Sequence, residues 1–62
     1  MSFEEYRKEI EDWLIANLEN KEIIKKLLDD NVYILYKWNF STDVAEALLM
    51  FSVKKNWTDV NL

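Results

Sequence analysis

Apolar residues in the first third of the chain recur with the period of an α-helix. At 100° per residue, six of them fall within an arc of about 140°, the width of a stripe that faces a protein core. They are Phe3, Tyr6, Ile10, Trp13, Leu14 and Leu18. Ser2 and Glu5 form a capping-box pattern at the start of this stripe, in which each side chain accepts a hydrogen bond from the other's backbone N–H. The pattern predicts a first helix over residues 3–18.

A second apolar stripe follows and is out of phase with the first. Its members are Ile23, Ile24, Leu27 and Leu28. In one continuous helix the two stripes would be rotated by about 80° from each other, so a break between them is needed to align them. Asn20 is suited to cap a new helix, and Asn31 tolerates the left-handed backbone that ends many helices. We expect residues 21–30 to form a second helix, antiparallel to the first.

Residues 32–40 carry a different pattern, in which apolar side chains alternate with others. Five of them share one face at period two, which favours a β-strand: Val32, Ile34, Tyr36, Trp38 and Phe40. The sequence contains no second run of this kind, and a lone strand would leave an unpaired edge. We therefore predict a strand that pairs with the same segment of a second chain, and a short third helix is the alternative.

The last predicted helix, over residues 43–56, is apolar on two sides. Cap candidates precede it at 41–43, and Asp43 with Glu46 makes another box-like pair. One apolar patch comprises Val44, Ala47, Leu48 and Phe51, and the other comprises Leu49, Met50, Val53 and Trp57. Such a helix is either central in a core or shared with a partner. We expect Phe51, like Trp13, to be a core residue, and the patch around Leu49 to join the dimer contact.

Composition agrees with a helical chain and removes several kinds of chemistry. The 62 residues include no Gly, Pro, Cys or His. Tight glycine hairpins and phosphate-binding loops are therefore disfavoured, and disulfides, zinc sites and imidazole or thiol catalysis are excluded. A domain this short buries too little surface to be very stable alone, so self-association is expected. We predict a non-enzymatic, mainly α single domain spanning residues 1–62, with no cofactor and no metal ion.

Charge is unevenly distributed along the chain, whose net charge is −4. Residues 1–31 contain nine acids and five bases, whereas residues 32–62 contain three of each. This acidity disfavours a nucleic-acid partner, which requires clustered Lys and Arg. The first helix instead offers an acidic face to a basic partner protein: Glu4, Glu5, Glu9, Glu11 and Asp12. Hard-cation sites usually take ligands from loops, so the row of Glu5, Glu9 and Asp12 on this helix is interpreted as a solvated face and not as a metal site.

Aromatic residues provide a second candidate surface. The nine aromatic side chains cannot all be buried in so small a domain, and Tyr and Trp are enriched where binding energy concentrates at interfaces. The predicted partner-binding residues are Tyr33, Tyr36, Trp38, Leu49, Met50, Val53 and Trp57.

These features predict a small acidic protein-binding module, a regulator or inhibitor of another protein that acts as a homodimer. One alternative is a structural or assembly subunit whose aromatic surface serves only self-association. A nucleic-acid-binding regulator is a further alternative, which the charge disfavours. The amino terminus is acidic where a secretory signal is basic, and no apolar run approaches the length of a membrane span. We therefore expect a cytoplasmic protein that does not bind a membrane.

Overall fold

Three helices form a small all-α domain. The structure is a computed structural model that describes the backbone of residues 1–61 and the side chains of residues 1–54. Helix α1 is Phe3–Asn17, and helix α3 is Thr42–Asn61. Helix α2 covers residues 21–37 and has three parts: an α-helical segment Lys21–Leu27, a π-helical turn Leu28–Val32 and an α-helical segment Tyr33–Lys37. The prediction of a mainly α domain is confirmed, and the described residues contain no strand.

Helix α1 begins at the predicted capping box. The Ser2 hydroxyl accepts a hydrogen bond from the Glu5 N–H, and the Glu5 carboxylate accepts one from the Ser2 N–H, both at 3.2 Å. These bonds satisfy two N–H groups that a helix start otherwise leaves without a partner, and the hydrogen bond from the Ser2 N–H to the carboxylate lowers the pKa of Glu5. Tyr6, Ile10 and Leu14 lie one turn apart on α1 and are buried in the core.

Helix α2 begins at Asn20, as predicted, and buries every fourth residue against α1. The Asn20 side-chain oxygen accepts hydrogen bonds from two backbone N–H groups at 3.0 and 3.2 Å. Ile24, Leu28 and Val32 are buried, and Tyr36 is half-buried. In a regular α-helix each step of four residues would rotate this row by about 40°. The π turn takes up an extra residue and compensates for the rotation, so the row continues to face the core.

The predicted strand over residues 32–40 is wrong; residues 33–37 are helical, as the alternative predicted, but they do not form a separate third helix. Residues 33–37 continue α2 directly. Helical spacing divides the expected period-two face, because Val32 is buried whereas Ile34 and Trp38 are exposed. β-Branched and aromatic residues have only a weak intrinsic preference for strands, and packing against α1 overrides it. Strand pairing across a dimer therefore has no basis in this fold.

Asn39, and not Asn31, is the left-handed residue that ends α2. Its φ angle is 67°. The Asn39 N–H donates to the Tyr36 carbonyl at 3.0 Å, and the Phe40 N–H donates to the Leu35 carbonyl at 3.1 Å. This is the Schellman arrangement, with Asn in the position that glycine usually occupies. Asn31 instead lies within the π turn, so α2 continues past its predicted end at residue 30.

Helix α3 runs alongside α1 in the same direction. The Ser41 hydroxyl caps it by accepting a hydrogen bond from the Val44 N–H at 3.3 Å. Near its start, the Tyr6 hydroxyl donates to the Phe40 carbonyl at 2.9 Å. Farther along, Val53 shares a small cleft with Leu18, which follows the end of α1. Within the described range, no helix has the combination of length and apolar character needed to cross a membrane.

Candidate protein-binding surface

Helix α3 has two apolar faces, and only one of them faces the core. Ala45 and Leu49 are buried, and Leu49 is 3% exposed. On the opposite side, four apolar residues at positions i, i+3, i+4 and i+7 are exposed, and Phe51 among them is 68% exposed. We call this group the α3 stripe; it consists of Val44, Ala47, Leu48 and Phe51.

The α3 stripe is exposed because of its angular position on the helix. At 100° per residue its centre lies about 150° from Leu49, which faces α1. Nothing in the described part of the chain covers the other side, where Val44, Leu48 and Phe51 meet solvent. Contiguous apolar groups on the surface of a small protein are typical of association sites.

The prediction that Phe51 is a core residue is therefore wrong. Leu49, predicted to contact a partner, belongs to the core of its own chain, and Met50 and Val53 are half-buried. The side chain of Trp57 lies outside the described residues. Both faces of α3 are apolar, so the helical period identified the two faces without distinguishing the buried one. Trp13 is half-buried and packs against the core.

Residues 33–38 leave a smaller apolar group exposed. Trp38 is 72% exposed, and Tyr33 is also exposed although its ring contacts Phe3 at a centroid distance of 5.6 Å. Tyr36 packs edge-on against Phe3 and Tyr6, at centroid distances of 5.4 and 5.3 Å. Of the three aromatic contacts predicted within residues 32–40, Tyr33 and Trp38 are accessible to a partner, and Tyr36 is used within the domain.

The predicted acidic face of α1 is accessible but partly neutralised. Its members are exposed, except for one that is half-buried: Glu4, Glu5, Glu9, Asp12 and, half-buried, Glu11. Lys8 pairs with Asp12 at 3.7 Å, and Arg7 pairs with Asp29 of α2 at 3.2 Å. Among the described side chains, no group of three acidic, His or Cys residues is placed to hold a metal ion.

Glu46 is a buried acid on α3, with 8% exposure. Burial raises its pKa above the ordinary value of 4.5, and the nearby Asp43 and Glu9 raise the pKa further. Burial, and then the Glu46 carboxylate, also raise the pKa of Tyr6. The capping pattern with Asp43 does not indicate burial of Glu46. Its angular position does, because Glu46 lies about 60° from Leu49 on the helix.

An open groove of about 810 Å³ lies between α1 and α2. Leu18, Ile24 and Leu28 line its apolar part, and Glu11 and Lys25 are among the charged groups of both signs at its edges. Ile15, which also lines the groove, is 58% exposed. The charged groups of the lining carry both signs, and this mixture selects no class of ligand.

Comparison with known proteins found no relative: no family model, no curated protein and no solved structure matches this chain. Functional inference therefore depends on the surface of the domain itself.

Proposed function

We propose that this protein is a non-enzymatic protein-binding domain, a regulator or inhibitor of another protein, whose contacts are made by the α3 stripe. The observation that carries the proposal is the exposure of four apolar side chains at helical spacing on a helix whose opposite face fills the core. Full burial of a Leu or Phe side chain is favourable by about 1.5–3 kcal/mol. The stripe therefore holds binding energy that folding of the domain does not use.

The spacing of the stripe supports binding to a hydrophobic groove. Amphipathic helices that bind grooves use anchors at i, i+3, i+4 and i+7, which are the positions of Val44, Ala47, Leu48 and Phe51. Phe51 is more exposed than Val44 or Leu48, and aromatic side chains contribute large contact area at interfaces. We assign Phe51 the role of main anchor, with Val44 and Leu48 as further contacts on its amino-terminal side.

The charge of α1 favours a basic partner. Glu4 and Glu9 are exposed and form no ion pair with other described residues. Their negative field would accelerate encounter with a positively charged surface more than it would strengthen the complex. The acidic charge of α1 therefore raises the rate of encounter with a basic partner, and the apolar stripe supplies affinity.

The test compares two variants of the full chain that make the same chemical change on different surfaces. F51D places a carboxylate in the α3 stripe, and I15D places one on α1, at a side chain of similar exposure. A protein captured by the wild type is identified, purified and titrated calorimetrically against each form. Loss of an anchor of about 2 kcal/mol, roughly 30-fold in affinity, is expected for F51D.

I15D is expected to bind the same partner within about twofold of the wild type, because surface changes outside an interface have small effects. Circular dichroism verifies that both variants are folded. If F51D binds the purified partner as tightly as the wild type, the α3 stripe is not the binding surface.

A structural or assembly subunit is the second candidate function. The arrangement of side chains along the α3 stripe favours it. In an antiparallel pair of copies, each smaller side chain of one stripe would face a larger side chain of the other. Failure of the wild type to capture any other protein would support this candidate over the regulator.

A further inference from the structure

We infer that the α3 stripe binds the α3 stripe of a second copy of this chain, with the two helices antiparallel. The inference deepens the proposed function, on which it rests, by naming an occupant of the same surface. It does not involve a strand at residues 32–40, and it uses the face of α3 opposite to Leu49.

The stripe is self-complementary in shape. In an antiparallel pair of identical helices related by a two-fold axis, the same patch contributes both sides of the contact, and facing residue numbers have a constant sum. When Val44 faces the partner's Phe51, Ala47 faces the partner's Leu48. Each pair joins a smaller side chain to a larger one, and this alternation lets facing helices interdigitate.

Charge determines the direction of pairing. Asp43 and Lys54 are both exposed and lie on the same flank of the stripe, about 90° and 70° from its centre at 100° per residue. In an antiparallel pair each flank meets the same flank of the other copy. Asp43 then lies near the partner's Lys54, with an axial offset of about 3 Å that a lysine side chain can span.

A parallel pair could not form these contacts. Asp43 and Lys54 are separated by about 16 Å along the helix axis at 1.5 Å per residue, so in parallel helices each would remain far from the opposite charge. The antiparallel arrangement forms two such pairs, one at each end of the stripe.

Association of two acidic chains also requires an interface that keeps their acids apart. Among the side chains of α3 that the structure describes, which end at residue 54, the exposed charges are Asp43 and Lys54; they cancel, and Glu46 is buried. Nine of the twelve acids lie within residues 1–31, and α1 packs on the side of α3 away from the stripe. Pairing through the stripe therefore leaves the acidic faces of the two copies on the outside.

The dimer is expected to be weak. The stripe extends over two turns, about 10 Å at 1.5 Å per residue. The area that its four side chains can bury is smaller than the roughly 800 Å² per partner of a standard stable interface. Affinity at such interfaces depends on a few anchors, and we expect a dissociation constant of order micromolar or weaker. Reversible pairing would leave the stripe accessible to a competing partner protein.

Sedimentation equilibrium from micromolar to millimolar concentration tests the pairing and its direction. The samples are the wild type, D43K, K54D, and an equimolar mixture of the two variants. In a homodimer of either variant, like charges face each other at both ends of the stripe. Because exposed ion pairs are worth up to about 1 kcal/mol, the dissociation constant of that homodimer is expected to rise about fivefold or more. The mixture restores both attractive pairs and is expected to associate as tightly as the wild type. Its mixed pair has the same total charge as a wild-type pair, so only charge placement differs.

F51D is expected to abolish dimerisation, and I15D to leave it unchanged. A wild type that remains monomeric at millimolar concentration, or an I15D variant as impaired as F51D, would overturn the pairing of stripes. A mixture that associates no better than its components would overturn the antiparallel direction. The proposed function is tested separately, because F51D can lose a purified heterologous partner whether or not the wild type dimerises.

Discussion

Residues 32–40 and helix α3 each contain more apolar side chains than one helix face can bury, but they leave different surfaces. In the first region the core takes Val32 and parts of Leu35 and Tyr36, and the exposed pair Ile34 and Trp38 covers only one turn, where α2 ends. In α3 the exposed side chains form an uninterrupted stripe over two turns. Apolar composition alone therefore does not locate a binding surface; the helical phase of the side chains left outside the core does.

The largest expected effect separates the two faces of α3. L49A truncates a buried side chain and should cost about 2–5 kcal/mol of unfolding free energy. L48A is the same substitution on the adjacent residue, which belongs to the stripe. It should change the unfolding free energy of the monomer by no more than about 0.5 kcal/mol. Urea unfolding followed by circular dichroism at low micromolar concentration measures both. Equal losses would mean that the faces are not divided as described.

The helix starts and the core of α1 were predictable from sequence because their causes are local. Capping by Ser2 and Asn20 depends on residues within one turn, and the 3.6-residue period brings Ile10 and Leu14 together. The helical state of residues 33–37 was not predictable, because alternating apolar residues suit a strand equally well. The buried row of α2, which reaches Tyr36 in steps of four residues, becomes favourable only because the π turn keeps that row against α1.

The candidate surface was predictable only in part for a related reason. Periodicity found both apolar faces of α3, but the buried face is chosen by contact with another helix, which the sequence does not display. Phe51 and Leu49 were consequently assigned to the wrong sides. The exposure of Tyr33 and Trp38 was expected, and their role in binding remains a prediction.

A smaller effect is expected where residues 32–40 attach to α1. Y6F removes the 2.9 Å hydrogen bond from the Tyr6 hydroxyl to the Phe40 carbonyl, at an expected cost of about 0.5–1.5 kcal/mol. Y36F removes the exposed 3.2 Å bond to the Met1 carbonyl and should cost less, because water can replace that partner. Thermal unfolding should show a midpoint several degrees lower for Y6F than for Y36F. The reverse order would place the main attachment of this region at Met1.

The end of α2 offers a comparison at a single position. Because Asn39 has a positive φ, N39A should lose about 0.5–1 kcal/mol, since local hydrogen bonding of the asparagine side chain offsets part of the cost of this conformation and alanine cannot do so. N39G should be at least as stable as the wild type, since glycine adopts this conformation without steric cost. Urea midpoints of the two variants test the Schellman end, and an N39A variant as stable as N39G would argue against it.

The smallest effect concerns pH and the core side of α3. Because the folded-state pKa of Glu46 is raised above 4.5, the folded chain binds this proton more tightly than the unfolded chain. Ionisation therefore destabilises the domain as pH rises through the folded pKa. E46Q should be more stable than the wild type by about 0.5 kcal/mol at pH 7, and the difference should disappear below pH 4.5. A constant difference across pH would show that ionisation of Glu46 is not its cause.

The most direct test of the division between the two faces is a methyl NMR titration of the wild type from micromolar to millimolar concentration. We predict that the methyl resonances of Val44 and Leu48 shift with concentration, whereas those of Leu49 and Val32 do not. Shifts at Leu49 and Val32 with none at Val44 and Leu48, or no concentration dependence at any of the four, would contradict association through the α3 stripe.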